Sequence, residues 1–577
     1  LLTGPIFSRE ALTAPRQMKH FLLRSGYVGA LFVLMYTIQQ ATIGFQDIRN
    51  AGDISRFGNL VFQVFALVQL ALVMFFALLF AAGTVSQEKD RQTLILLMMT
   101  DLRDRELVFG KLATGLMNVG ILIAVSVPVF CLVYLLGGVT LAQILWLIPL
   151  SGASALAAGA WGNFVAFWRD KTFQTLAVSV LGVVIFIGLI EALISTLDQP
   201  QATHWLGLFN PFRALWGLLS PLQMADSSPA VPVSALQPVI SLTVLGIALS
   251  SVTVLRLRFW YPPRIEIVHA AADEQTAASR AKSRSIWDNP IIWREIRTRA
   301  YGHRVALIKL AYVTVAVFTA LWLKANVAQH GPMLGMLSPT SVVFVGLSLI
   351  SLMIVNALGV TALTNERDGK TLELLLVTDI TAREFMFGKL GGILFNTKEV
   401  VLVPLLLLAY ASWQNLVTGI TVEYGVYLVC GFVALVVFSA MLGLHSGLSY
   451  KSSRSAIINS LGTVFFLFIG ILIFMVLLVE ARSSFQLQFQ SFIVFIVAGS
   501  IGLWASISHK NPSPALMLAA ALLPFLTFYA ITLYLMNGSL GVCFWIVLAY
   551  GFATIAMLIP AVSDFDVALG RTTIDHG

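Results

Sequence analysis

Apolar runs long enough to cross a bilayer, about 20 residues each, recur from one end of this sequence to the other. Inside hydrocarbon every backbone amide and carbonyl must find its partner within the protein, so a chain crosses only as helices or as a closed barrel. Barrel strands are segments of about 10 residues that alternate apolar and polar side chains, and these are absent. The chain is 58% hydrophobic and 11% charged, against roughly 25% charge in soluble domains, so it has no soluble solution. The sequence therefore reads as an all-α polytopic membrane protein of about 12–14 transmembrane helices. The runs lie at 25–43, 58–83, 113–136, 142–167, 175–194 and 238–255, then at 305–323, 340–363, 391–410, 424–448, 457–479, 489–507, 514–535 and 540–559.

Between the second and third runs stands a charged segment, Glu88–Leu112, EKDRQTLILLMMTDLRDRELVFGKL. It returns at Glu366–Leu390 as ERDGKTLELLLVTDITAREFMFGKL, and without a gap the two agree at 14 of 25 positions. A match that dense marks a duplicated unit. The stretch before the first run repeats as well: GPIFSREALTAPRQMKHFLLRSGY (Gly4–Tyr27) is echoed by NPIIWREIRTRAYGHRVALIKLAY (Asn289–Tyr312), sharing Arg9/Arg294, Glu10/Glu295 and Tyr27/Tyr312. The chain thus divides into a first half, 1–257, a hydrophilic linker, 258–288, and a second half, 289–577, with an extra hairpin in the second. Gly4–Leu23 reads as a short helix in the membrane interface. His204–Leu219 is apolar but too short to span, which suggests an interfacial or re-entrant helix.

If the duplicated segments face the cytoplasm, only Arg49, Arg56, Arg213, Lys324 and Arg482 of the 36 basic residues fall outside. That is the positive-inside bias of an inserted protein, with both termini cytoplasmic, and the net charge of +8 is topology rather than a nucleic-acid footprint. No cleavable signal peptide is expected before the first run. Cys131, Cys430 and Cys543 lie in apolar runs without CxxC spacing, and the eight His show no metal-ligand spacing, so no metal site is expected.

Each segment reads as a helix, a capped break and a second helix. Thr100-Asp101 and Thr378-Asp379 supply capping residues, Thr381-x-x-Glu384 has capping-box spacing, and Asp101/Arg105 and Asp379/Arg383 sit at i,i+4. A plain cytoplasmic elbow and a docking surface for another protein both fit; the duplication favours the second. Gly110-Lys111 and Gly388-Lys389 lack both the first Gly and the Ser/Thr of a phosphate loop. Gly369-Lys370, though followed by Thr371, has Thr364 in place of the first Gly, so no ATPase and no cofactor of the chain's own is expected. Gly110-Lys111 and Gly388-Lys389 read instead as helix starts with Lys at the headgroups. Glu191, Lys398 and Glu399 are the charges nearest membrane depth, where functional sites concentrate.

The pattern E-x-x-x-x-T-L-x-L-L, then Thr-Asp, then E-x-x-x-G-K-L, with the P-I-x-x-R-E helix ahead of it, resembles the permeases of ATP-binding-cassette exporters of the second type. The resemblance implies two six-span permease halves, a separate ATPase subunit in two copies, and an unidentified export substrate. It also implies a bacterial inner-membrane location. It assigns ATPase coupling to Glu88, Asp90, Thr93, Leu94, Leu96, Leu97, Thr100 and Asp101, and to Glu366, Asp368, Thr371, Leu372, Leu374, Leu375, Thr378 and Asp379. Arg9, Glu10, Arg294 and Glu295 would form the interface helices. Asp101 and Asp379 stand where the family often has Pro. The copies also differ at Ile95/Glu373 and Gln92/Lys370, so identical ATPase subunits would meet unequal surfaces. On this reading Glu88 and Glu366 are exposed cytoplasmic charges whose reversal weakens docking, and Leu96 and Leu374 affect both docking and folding if they also pack on the bundle. A non-transporting membrane scaffold is the alternative, and an intramembrane enzyme ranks last because no catalytic pair is present.

Overall fold

The computed structural model describes residues 7–9, 12, 18–43, 51–90, 93–100, 102–169, 172–196, 200–219, 235–260, 289–297, 305–326, 339–368, 371, 380–414, 422–450, 452–481, 485–509, 513–536 and 538–568. Every regular element among them is a helix. The first half comprises α1 (Met18–Thr42), α2 (Ala51–Asp90), α3 (Thr93–Met98), α4 (Asp104–Leu136), α5 (Leu141–Trp168), α6 (Thr172–Thr196), α7 (Pro200–Gly207), α8 (Pro211–Leu219) and α9 (Leu236–Trp260). The second comprises α10 (Pro290–Arg297), α11 (Val305–Asn326), α12 (Pro339–Asp368), α13 (Ala382–Trp413), α14 (Val422–Ser449), α15 (Ser453–Ala481), α16 (Phe485–Ile507), α17 (Pro514–Leu535) and α18 (Ser539–Ala568). Each of the apolar runs read from the sequence falls on one of these helices, and among the described residues ten helices are long and apolar enough to cross a membrane.

The two halves repeat one packing scheme. In the first, α2 packs on α4, α5 and α6, and α5 on α9; in the second, α12 packs on α13, α14 and α15, and α14 on α18. Lipid is as apolar as a leucine side chain, so these contacts rest on close backbone approach and hydrogen bonds rather than on the hydrophobic effect. A Cβ on Gly162 of α5 would stand 2.7 Å from the Leu78 carbonyl oxygen of α2. The equivalent Gly443 of α14 meets the Asn356 carbonyl of α12 in the same way. Tyr27 donates to Gln69 Oε1 at 3.4 Å and Tyr312 to the Leu347 carbonyl at 3.0 Å. Gln69 and Leu347 are equivalent positions in the duplication, so both tyrosines fasten the first long helix of their half to the second.

The halves differ between their fifth and last long helices. Because α18 occupies the place of α9, the extra hairpin of the second half is α16–α17, inserted where the first half has α7–α8. The expected single helix over His204–Leu219 is instead two short ones. Asn210 ends the first turn of chain and caps the second, its Oδ1 accepting from Phe212 N at 3.0 Å, and Pro211 suits the first helical position. Two other expectations are corrected. α1 begins at Met18, so the end of the Gly4–Leu23 stretch belongs to the first long helix, since Met18–Arg24 contains no Gly or Pro to break it. Likewise α9 continues past residue 257 to Trp260. Gly137-Gly138 turns the chain from α4 to α5: both residues have positive φ, 85° and 77°, and a Cβ on Gly138 would collide with the Ser55 carbonyl.

The close α2–α5 and α12–α14 approaches can be tested directly. Gly162→Ala and Gly443→Ala should each lower the thermal midpoint of the purified chain, at about 1–3 kcal/mol for an overpacked contact. Gly152→Ala on α5, where a Cβ meets nothing within 4 Å, should leave it unchanged.

Candidate functional site

The duplicated segments become legible at the last turn of α2 and of α12. Glu88 Oε1 accepts from Lys111 Nζ at 2.7 Å, joining α2 to α4. Its neighbour Lys89 donates to the carbonyls of Phe167 and Arg169 at 3.1 and 2.8 Å, joining α2 to the end of α5. In the second half Glu366 accepts from Lys389 of α13. Arg367 donates to the Gly447 carbonyl at 3.2 Å, to the Tyr450 carbonyl and to Ser453 Oγ at 3.3 Å. Two consecutive residues of opposite charge thus pin three helix ends in each half. A cation placed on the free carbonyls of a helix C-terminus is also favoured by the helix dipole. Thr93 and Thr371 each turn the chain back on itself, donating to the Glu88 and Glu366 carbonyls at 3.2 and 3.1 Å.

Among the described residues, a further layer is seen at the second copy. Gly388 and Gly392 open a groove on α13, and α10 lies in it; a Cβ on Gly388 would stand 2.9 Å from Ile291, and one on Gly392 2.6 Å from Glu295. Asn289 caps α10, accepting from Ile291 N and Ile292 N, and donates to the Glu384 carbonyl at 3.2 Å. Asn396 of α13 donates to the Glu295 carbonyl at 3.2 Å. This seating carries Glu295 and Arg294 into the ion pair, where Lys389 bonds both Glu295 and Glu366, and Arg294 reaches the same two carboxylates. The Lys389 and Glu295 side chains keep 2% and 1% of their surface exposed. One oxygen each of Glu295 and Glu366 has no hydrogen-bond partner among the described residues.

Several expectations change. Lys111 and Lys389, read as free headgroup lysines, are buried against carboxylates near the starts of α4 and α13. On α13 this end is covered by α10. Glu366 is buried and Glu88 half-buried, so they are not exposed charges. Nor does Leu96 pack on the bundle. In α3 it is Leu94 that is buried, with Leu97 and Met98 beside it, while Ile95, Leu96 and Met99 are 53%, 62% and 77% exposed. Thr100 is exposed, its hydroxyl returned to the Leu97 carbonyl. The Thr381–Glu384 capping box is present as read.

Asp90 and Asp368 end their helices. Their side chains, with Glu10, Asp101, Leu372, Leu374, Leu375, Thr378 and Asp379, lie outside the described residues, and Arg9 belongs to a helical turn at 7–9. Glu399 pairs with Lys309 at 2.7 Å, Lys398 sits 4.0 Å from the Phe395 ring centre, and Glu191 pairs with Arg213 at 2.9 Å. Glu399 and Glu191 thus fasten neighbouring helices, whereas the Lys398 contact stays within α13.

The signal that would have found the ion pairs was present in the repeat. Glu and Lys at fixed positions of both copies, opposite in sign, are candidates for pairing with one another. Both mounts lie at one end of the bundle, because Arg454, beside the Arg367 site, reaches Gln87, beside the Glu88 site. At that end Tyr450 donates to the Ser506 carbonyl and stacks on His509 at 4.5 Å. Burial pushes its pKa up to about 12. Among the described residues no group of three His, Cys, Asp or Glu side chains is placed to hold a metal ion. No protein-family model, curated protein or solved structure matches this chain.

Lys389→Met would leave two buried carboxylates to Arg294 alone and should destabilise the chain by about 3–5 kcal/mol, read as a lowered thermal midpoint. Adding Glu295→Gln should recover part of the loss. Lys111→Met should cost less, because the Glu88 side chain keeps 24% of its surface for water.

Proposed function

We propose that the chain is the two-halved permease of an ATP-binding-cassette exporter, driven by two copies of a separate ATPase subunit. The observation that carries this reading is α3. A six-residue helix and the residue after it turn Ile95, Leu96 and Met99 outward, on a mount in which Glu88, Lys89 and Lys111 are bonded between helices. Such a patch is a docking surface, and the mount is stiff enough to pass a push on to α2, α4 and α5 together. The duplication provides a second such segment, with Glu373 in place of Ile95, so two identical subunits would bind unequal surfaces. Closure of the ATPase pair draws the two segments together and parts the halves toward the far side of the membrane. The segment end is the cytoplasmic one, in keeping with the distribution of Lys and Arg.

The docking surface separates cleanly from the fold. Leu96→Glu with Met99→Glu should abolish pull-down of the partner ATPase while leaving the thermal midpoint unchanged. Leu94→Glu, at a buried site, should lower the midpoint instead. Unchanged pull-down and unchanged transport in the double variant would favour the scaffold. Sidedness is checked independently: a cysteine at the exposed Arg103, in a cysteine-free background, should resist an impermeant maleimide in intact cells and react in inverted vesicles.

A further inference from the structure

The two halves meet along two seams related by the duplication. On one, α6 packs against α11 and α12; on the other, α15 packs against α1 and α2. Helices α5–α6 and α14–α15 correspond without a gap, Leu141 to Val422 and Thr172 to Ser453, so the seams can be compared residue by residue.

They are chemically different. At the α2–α15 seam Phe75 and Phe465 stack face to face, 4.0 Å between centres and 2° between planes, and Phe76 lies 6.0 Å from Phe466. Three turns along α2, Arg454 donates to Gln87 Oε1. Its guanidinium crosses α2 at Gly83, where a Cβ would come within 2.8 Å of Nε. The hairpin α16–α17 adds a brace: α16 packs on α1, and Phe474, Phe492 and Phe528 cluster at 5.3–5.6 Å against Leu34 and Ile38. At the α6–α12 seam the equivalent positions hold Val184 and Ile185 opposite Met353 and Ile354, Phe173 for Arg454, Thr361 for Gly83 and Asn365 for Gln87. In place of α16–α17 the first half has the short helices α7 and α8, fastened back to α6 through Glu191.

In lipid, aliphatic side chains exchange a protein neighbour for an acyl chain with little change in energy, whereas ring stacking and hydrogen bonds have no such substitute. We infer that the halves do not part symmetrically: the α2–α15 seam is a latched hinge, and the α6–α12 seam is the one that opens. This rests on the proposal that the halves move, and adds which side moves and what holds the other.

The test uses the chain alone in lipid nanodiscs, with its cysteines replaced by serine, and so does not depend on any ATPase. Spin labels at Arg103 and Ser452 report the α2–α15 seam; labels at the equivalent Thr381 and Lys171 report the other. The first pair should give a distance distribution at least twofold narrower than the second. Arg454→Ala, Gly83→Ala and Phe465→Val, which installs the residue of the opposite seam, should each broaden it. Equal widths in the unmodified seams, or a broader first pair, would overturn the inference. Failure of ATPase pull-down with the asymmetry intact would remove the exporter and leave the hinge.

Discussion

The structure depends on a pair of charges placed where water is scarce. Glu88 with Lys111, and Glu366 with Lys389, close each duplicated segment at its base, and the residue after each glutamate caps a third helix. A buried pair of this kind adds little net stability over an apolar substitute, yet is severely damaging when one partner is lost. What it contributes is geometry. Three helix ends that lipid alone would leave free to slide are held in register, and the short helix α3 projects from them at a fixed angle.

That arrangement separates two tasks within 25 residues of sequence. Glu88, Lys89 and Lys111 of the first segment hold the helices together. In and just after α3, Ile95, Leu96 and Met99 are left outward. A surface formed this way is unusual at the end of a membrane bundle unless something covers it. In the second copy the base is joined by α10, laid into a glycine groove; the matching stretch of the first half lies largely outside the described residues. The copies differ along the seams between the halves, where aromatic and guanidinium contacts stand on one side and aliphatic ones on the other. A duplicated chain, unlike a dimer of identical subunits, is free to diverge in this way.

Much of this was readable in advance. Runs of about 20 apolar residues can be satisfied only by helices, so the placement of the long helices and the all-α class follow from composition and length. The duplication is visible because both copies answer to the same local demands, and Gly137-Gly138 is a turn in any context that requires positive φ. The Thr381–Glu384 box is similarly local, set by residues three apart.

The rest needed tertiary structure, and for one physical reason: whether a charge meets water or a counter-charge depends on a residue far away in sequence. Lys389 reads as a headgroup lysine until α10, 94 positions upstream at Glu295, is found against it. Leu96 and Leu94 have the same side chain two residues apart, and only the direction from which the bundle approaches α3 decides which is buried. The α16–α17 hairpin is evident as two apolar runs, but that it replaces α7–α8 and leans on α1 is decided by which helices pack, not by hydropathy. Sequence by itself determined what each segment is. Packing determined what each segment touches, and with it which of two matching copies is latched.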